Sequence, residues 1–377
     1  MKLSQLGPSY WRLRLQKWPK ARMAEEGYAL LLPVPGDLPV FLRLALAVCS
    51  YQDSRFRVQT IVVPDQMTPA IRHLVAEARP SWSGELLLQP LPLPERWVLP
   101  WLGNPGRNHA FQLVTGAGHC GATHIVLHDA DLFLLRPDQL DRQFEKCRDG
   151  GLACLGISPA WDPWFAEHGR QLAATWELCA TVKWLRGFSP ASHMAHDNEL
   201  FGAKHTFDTT FYPQAMTDQA LIGVSPSDDV VHFNYVISNY RRFRRQGSQV
   251  WTDVRFRLLL VSLFVELFDK ERWASYRLPD LAALGRGLGR DGGPVQFPDV
   301  GPGAPEYASF RALLSRALDG PWVAARQLEL ASSALAPFDR FYSYEPAGSA
   351  RTAGTPGPGG SPHGVKGPPP EGSTTAG

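Results

Sequence analysis

The stretch Thr123–Pro137 reads THIVLHDADLFLLRP. Ile125, Val126 and Leu127 form the short apolar run of a fully buried strand, and the run ends in two carboxylates one residue apart, Asp129 and Asp131. In an open α/β sheet, ligands sit in the crevice outside the carboxyl ends of the strands, where these aspartates emerge. Asp-x-Asp offers hard oxygen ligands to Mn²⁺ or Mg²⁺, and such a cation takes its remaining ligands from the phosphates of a substrate. The chemistry implied is the handling of a diphosphate. The competing account is a solvated turn after a strand.

Working outward, strands and helices alternate on the N-terminal side. Tyr28–Val34 is an apolar strand ended by Pro33, Pro35 and Gly36, Val40–Tyr51 is apolar on a helical period, and Val58–Val63 is a second strand. A helix over Pro69–Ala78 has Thr68 as N-cap and Pro69 at its first position, and Glu85–Leu88 reads as a third strand. The proline-rich 90–105 reads as loop. Residues 104–117 form a helix entered through Gly106 and stopped by Gly118 and Gly121, which puts the aspartates on about the fourth strand. Strands joined by right-handed helical crossovers predict an α/β fold: a mostly parallel doubly wound sheet with helices on both faces.

On the C-terminal side, a helix over Asp138–Cys147 leads to a strand over Leu152–Ile157. Ser158–Ser227 is less regular and holds Trp161, Trp164, Trp176 and Trp184, whose flat faces suit sugar rings as well as a core. Val230–Val236 is a late strand and Val254–Phe268 a strongly apolar helix. Pro346–Gly377 is rich in Gly and Pro with almost no apolar content and is expected to be disordered. The arm Tyr10–Arg22 reads as a surface helix without an assignable role.

Composition limits the function classes. With 377 residues and 44% hydrophobic content there is material for one large α/β domain or two smaller ones. A net charge of +2 gives no reason to expect a nucleic-acid partner. Five scattered cysteines without a CxxC pair point to reduced thiols and a cytoplasmic setting. Residues 1–24 have no apolar core of the signal-peptide kind, and Leu258–Phe268 is too short to span a bilayer. Arg241, Arg242, Arg244, Arg245, Arg255 and Arg257 precede that apolar run, a succession that can lie on the inner face of an anionic membrane, although a buried helix with a solvated basic entry fits as well.

Together these pieces resemble the GT-A, Rossmann-like fold of nucleotide-sugar glycosyltransferases with a DxD motif. The resemblance runs over roughly residues 27–240: a β–α–β half, a Gly106-Arg107-Asn108 helix start, the HDAD strand end, the segment Thr217-Asp218-Gln219, and Asp229-Val-Val-His232-Phe233. It implies an N-terminal arm at 1–26, a nucleotide-binding half at 27–137, a donor-sugar and acceptor half at 138–275, a helical extension at 276–345 and the tail at 346–377. It implies a metal-dependent transferase with Mn²⁺ or Mg²⁺ on Asp129, Asp131 and His232. Asp65, at the end of the second strand, would meet the nucleotide base. Asp129 would also reach the ribose, Arg107 and Asn108 would stand near the phosphates, and Gln219 would line the donor pocket. The donor would be a nucleotide-diphosphate sugar, a UDP-sugar first, and the acceptor a carbohydrate, lipid-linked or small-molecule hydroxyl.

For the acceptor side, His193, His196, Asp197, Glu199 and His205 form the densest run of titratable groups. Asp197 or Glu199 would deprotonate the acceptor in an inverting enzyme, whereas Asp218 would sit close to the sugar in a retaining one. The chain departs from the family pattern in having no lysine-containing ending after His232. A HAD-like phosphohydrolase also ends a strand in DxD, but on its first strand and with a hydroxyl residue soon after, where this chain has Leu132 and Phe133. A non-catalytic nucleotide-sugar binder or scaffold of the same fold is the remaining alternative.

Overall fold

The computed structural model describes residues 10, 13–20, 22–102, 105–158, 162–246, 255–289 and 295–345. The expectations for Trp161 and the tail from Pro346 onward lie outside these residues.

Strand β1 (Glu25–Val34) lies inside the sheet, and its apolar run is buried from Gly27 onward. It pairs in parallel with β2 (Arg57–Pro64) on one side and β4 (Ala122–His128) on the other. Burial on both faces is the reason the run is continuous rather than alternating. Alternate residues serve two cores: Leu30, Leu32 and Val34 pack on one face, and Ala29 and Leu31 on the other. The first face is covered by α1 (Pro39–Ser50) and by a C-terminal helix, Arg255–Phe268, whose residues Leu258–Leu260 are fully buried. That apolar run is therefore core. Among the described residues no helix is long and apolar enough to cross a membrane.

The connection from β2 runs through α2 (Pro69–Ala78) to the edge strand β3 (Glu85–Leu88). Thr68 caps α2 by accepting the Ile71 N–H at 3.3 Å. The proline-rich stretch read as loop is instead helical: α3 spans Leu93–Leu102. Pro94 lies in its first turn, where a missing N–H costs no hydrogen bond. Glu95 on the same turn is buried and holds the N-terminal arm through Arg14 Nε at 2.6 Å, while Leu15 of the arm enters the second core. Helix α4 (Pro105–His119) then covers the second face and delivers the chain to β4.

The seven strands run in the order β10-β6-β7-β4-β1-β2-β3, with β6 at Cys154–Ile157, β7 at Glu177–Thr181 and β10 at Ile222–Ser225. All pairings are parallel except those of β7, which lies antiparallel between β4 and β6. The sheet is thus the mostly parallel doubly wound arrangement expected. Strand β7 falls inside the stretch read as irregular, because its five residues begin with a buried glutamate and carry no strong apolar period. Short strands β5 (Leu132–Leu134) and β11 (Val230–His232) form a separate antiparallel pair, and β8 (His196–Leu200) and β9 (Ala203–Phe207) form a hairpin.

Candidate functional site

The carboxyl ends of β1, β2 and β4 converge on a cavity of about 600 Å³, and the order reverses there because β2 and β4 lie on opposite sides of β1. Val34, Asp65, Asp129 and Asp131 line it from the strand ends, Asn108 and His109 from the first turn of α4, and His232, Tyr235 and Arg241 from the late segment.

The aspartates sit on a turn held by the backbone. The Asp129 N–H donates to the Trp176 carbonyl at 2.9 Å, and the Leu132 N–H to the Asp129 carbonyl at 3.1 Å. The apolar residues after Asp131 then form β5, which is wholly buried, with Phe133 packed on Phe233, Phe264 and Trp322. The β5–β11 register places His232 opposite Leu132. His232 Nε2 consequently lies 3.3 Å from Asp131 Oδ1.

One ligand atom from each of Asp129, Asp131 and His232 can be chosen within 4.8 Å of the others. The His232 ring packs on Trp176 with centroids 4.6 Å apart, and its Nδ1 is buried without a hydrogen-bond partner. Two carboxylates and an imidazole, with a buried ring nitrogen left over, are a donor set that fits Mn²⁺ or a similar divalent cation.

Behind the turn lies a fully buried pair, His128 Nδ1 to Glu177 Oε2 at 2.7 Å, aligned by the β4–β7 register. Burial works to lower the His128 pKa, but the neighbouring Cys49 and Glu177 carry it well above the ordinary value. Burial raises Glu177, against the pull of His128. At the mouth of the turn, His109 Nε2 approaches Asp129 Oδ1 to 3.0 Å without the alignment of a hydrogen bond. Burial opposes protonation of His109, yet Asp129, with Asp208 and Asp131, raises it overall.

At the far wall, Arg241 binds two carboxylates. It reaches Asp37 through Nε and Nη2 and Asp65 Oδ2 through Nη2 at 2.6 Å, while the Gly36 N–H donates to Asp65 Oδ1 at 2.9 Å. Burial raises Asp65 and Arg241 pulls it down. Tyr235 adopts a left-handed backbone, φ 67°, lines the cavity, and is 70% exposed.

The remaining expected site residues are distributed differently. Asn108 lines the cavity, and its buried Oδ1 has no hydrogen-bond partner. Arg107 is on the same helical turn but outside the lining. Asp197 and Glu199 occupy the exposed face of β8 and do not line the cavity. Asp197 accepts from Thr206 at 2.6 Å and pairs with Lys204 at 3.1 Å, and these contacts hold its carboxyl below the usual range. Asp218 caps a single turn by accepting the Ala220 N–H at 3.1 Å, and Gln219 ties that turn to Gln171, Gln214 and Thr217. Neither lines the cavity. His193 is a core residue that meets the Leu185 carbonyl at 2.8 Å through Nε2. No sequence signal pointed to His109 or Asp208, and Arg241, read as part of a basic succession, is instead paired in the cavity wall; the place of all three depends on tertiary packing.

No family model matches the chain, and no curated protein matches its sequence. Solved structures similar to it include a mannosyltransferase from Pyrobaculum calidifontis in complex with GDP-Man and Mn²⁺, at 15% identity over 91% of this chain and 96% of that one, with a TM-score of 0.39. Glucosyl-3-phosphoglycerate synthase from Mycobacterium tuberculosis, in complex with Mn²⁺ and UDP-glucose, is 10% identical over 77% of this chain and 87% of its own, with a TM-score of 0.38. Core-mannan synthase A from Aspergillus fumigatus, in its Mn/GDP form, is 11% identical over 45% of this chain and 63% of its own, with a TM-score of 0.30. The superpositions are loose and the identities low, so the chemistry must be read from the cavity itself.

Proposed function

We propose that the chain is a metal-dependent glycosyltransferase that moves a sugar from a nucleotide-diphosphate sugar to an acceptor hydroxyl. The observation that carries this reading is the convergence of Asp129, Asp131 and His232 at the carboxyl end of the sheet, inside a cavity large enough for a ligand of that size.

Asp129, Asp131 and His232 would hold the cation. Bound there, a divalent ion supplies Lewis-acid compensation for the charge that develops on a departing nucleoside diphosphate. The chain's own residues bind and orient. The N-terminal end of α4 brings Asn108 and the His109 imidazole to the cavity, where they would face anionic oxygens. Asp65 and Arg241 form the nucleoside wall, where Arg241 fixes the Asp65 carboxylate rather than leaving it free for a base. The exposed Tyr235 ring offers a flat face to a base or sugar. Gln219 and Asp218 support the domain at a distance from the donor, and Arg107 adds positive charge near the same helix start.

A phosphohydrolase of the DxD class would need Asp129 as an approachable nucleophile. Its Oδ1 is instead faced by His109 at 3.0 Å, which favours a positioned ligand. The test is a thermal-stability screen of UDP-, GDP- and dTDP-sugars with and without Mn²⁺, taking UDP-sugars first. A donor at a hundred times its Kd adds about 2.7 kcal/mol of stability. Stabilisation that needs both donor and Mn²⁺ supports the reading, and none with any donor refutes it.

A further inference from the structure

We propose that Asp208 is the base that deprotonates the acceptor, so that transfer is a single displacement with inversion at the anomeric carbon; the inference rests on the glycosyltransferase reading above. Among the described residues, four carboxylates line the cavity: Asp65, Asp129, Asp131 and Asp208. Three are committed. Both oxygens of Asp65 are taken, by the Gly36 N–H and by Arg241, and Asp129 and Asp131 form the cation set with His232.

Asp208 keeps one oxygen free, although its charge acts on His109 across the cavity. One oxygen accepts the Thr209 N–H at 2.7 Å, its side chain is exposed at the cavity, and no ion pair ties it among the described residues. Its backbone is nevertheless fixed. Thr209 and Thr210 are buried, Thr209 Oγ1 donates to the Gly106 carbonyl at 3.2 Å, and the Thr210 N–H donates to the His193 carbonyl at 3.1 Å. Thr210 is held left-handed at φ 63°, a conformation a β-branched residue adopts only when its surroundings impose it. An exposed carboxylate on a rigid, strained support is how a positioned base is built.

In the step itself, the acceptor O–H gives its proton to the free oxygen of Asp208. The acceptor oxygen forms its bond to the anomeric carbon from the face opposite the diphosphate. The bond from that carbon to the diphosphate oxygen breaks, and its electron pair leaves with the nucleoside diphosphate. No oxidant or further co-reactant is required.

The test uses the full chain with UDP-α-glucose and GDP-α-mannose, taking water and glycerol as acceptors. Real-time proton NMR with Mg²⁺ reads the first-formed anomer, and thermal shifts with Mn²⁺ read donor binding. D208N keeps an oxygen for the Thr209 N–H, so it should fold and show the wild-type donor shift while turnover falls at least 100-fold, as expected for loss of a general base. The wild type should release the β-sugar first. An α-product, turnover by D208N within tenfold of wild type, or donor binding without any wild-type turnover would each overturn the proposal. Absence of any donor shift in the wild type would instead refute the underlying glycosyltransferase reading, and this proposal with it.

Discussion

His232 Nε2 stands 3.3 Å from Asp131 Oδ1, although the two residues come from opposite ends of a long excursion of the chain. What joins them is the three-residue ladder between β5 and β11, with Val231 opposite Phe133 in the buried core. His232→Ala should therefore weaken Mn²⁺ binding at least as much as the 10–100-fold typical of losing an outer-shell partner. His232→Gln should recover part of it through its amide oxygen. Isothermal titration with Mn²⁺ and UDP checks both, and unchanged affinity in the alanine variant would contradict the assignment.

Asp131→Ala removes one of two neighbouring carboxylates from a strand end and takes no apolar contact from the core. The apo protein should melt close to wild type, because loss of the Asp131–His232 contact is offset by relief of the repulsion between Asp131 and Asp129. The Mn²⁺-dependent shift with donor should vanish. A retained shift in differential scanning fluorimetry would exclude Asp131 as a ligand.

Arg241 ties α1's approach to the end of β2 through Asp37 and Asp65. Its side chain is 19% exposed and that of Asp65 only 5%. Arg241→Met leaves a buried carboxylate without its partner, which costs roughly 3–5 kcal/mol. Urea unfolding should show this as a lower midpoint at unchanged slope. Nucleoside-diphosphate affinity should fall as well, since Asp65 then loses its fixed position in the cavity wall.

Stability should decline in mild acid because of His193. Burial lowers its pKa from 6.5 to about 4, against a small upward pull from the Leu185 carbonyl. The native ring stays neutral while the unfolded chain binds a proton below pH 6.5. The contribution is thus fully present above pH 6.5 and is lost as pH falls towards about 4. Within that window each pH unit costs about 1.4 kcal/mol from this group. Urea unfolding at pH 7 and pH 5 should show a shallower pH dependence for His193→Gln than for wild type, and identical slopes would contradict the account.

Much of the fold was legible because the strands flanking the site are buried on both faces. Tyr28–Val34 and Val58–Val63 read as continuous apolar runs closed by proline and glycine, and Thr68-Pro69 announced a helix start. Asp129 and Asp131 were legible for the same reason, as charges at the end of such a run. His232 was reached only through a family resemblance, since three residues of β11 have no period to read. Strand β7 was hidden because its burial comes from lying between β4 and β6, which its own five residues do not encode strongly. The density of titratable groups pointed to Asp197 and Glu199, whereas hairpin alternation turns both outward and the cavity receives Asp208 from just beyond the hairpin's end. Pairings such as Arg241 with Asp37 and Asp65 join distant segments and leave no local trace.

Asp129, Asp131 and His232 together would hold the cation that meets the donor's diphosphate. Pulsed electron paramagnetic resonance of Mn²⁺ bound with UDP tests it most directly, because a coordinating imidazole gives a nitrogen coupling that water and carboxylates do not. The wild-type complex should show that coupling, His232→Ala should lose it, and Asp131→Ala should fail to bind the ion in the presence of UDP. A wild-type spectrum without nitrogen coupling, or one that His232→Ala leaves unchanged, would contradict the account.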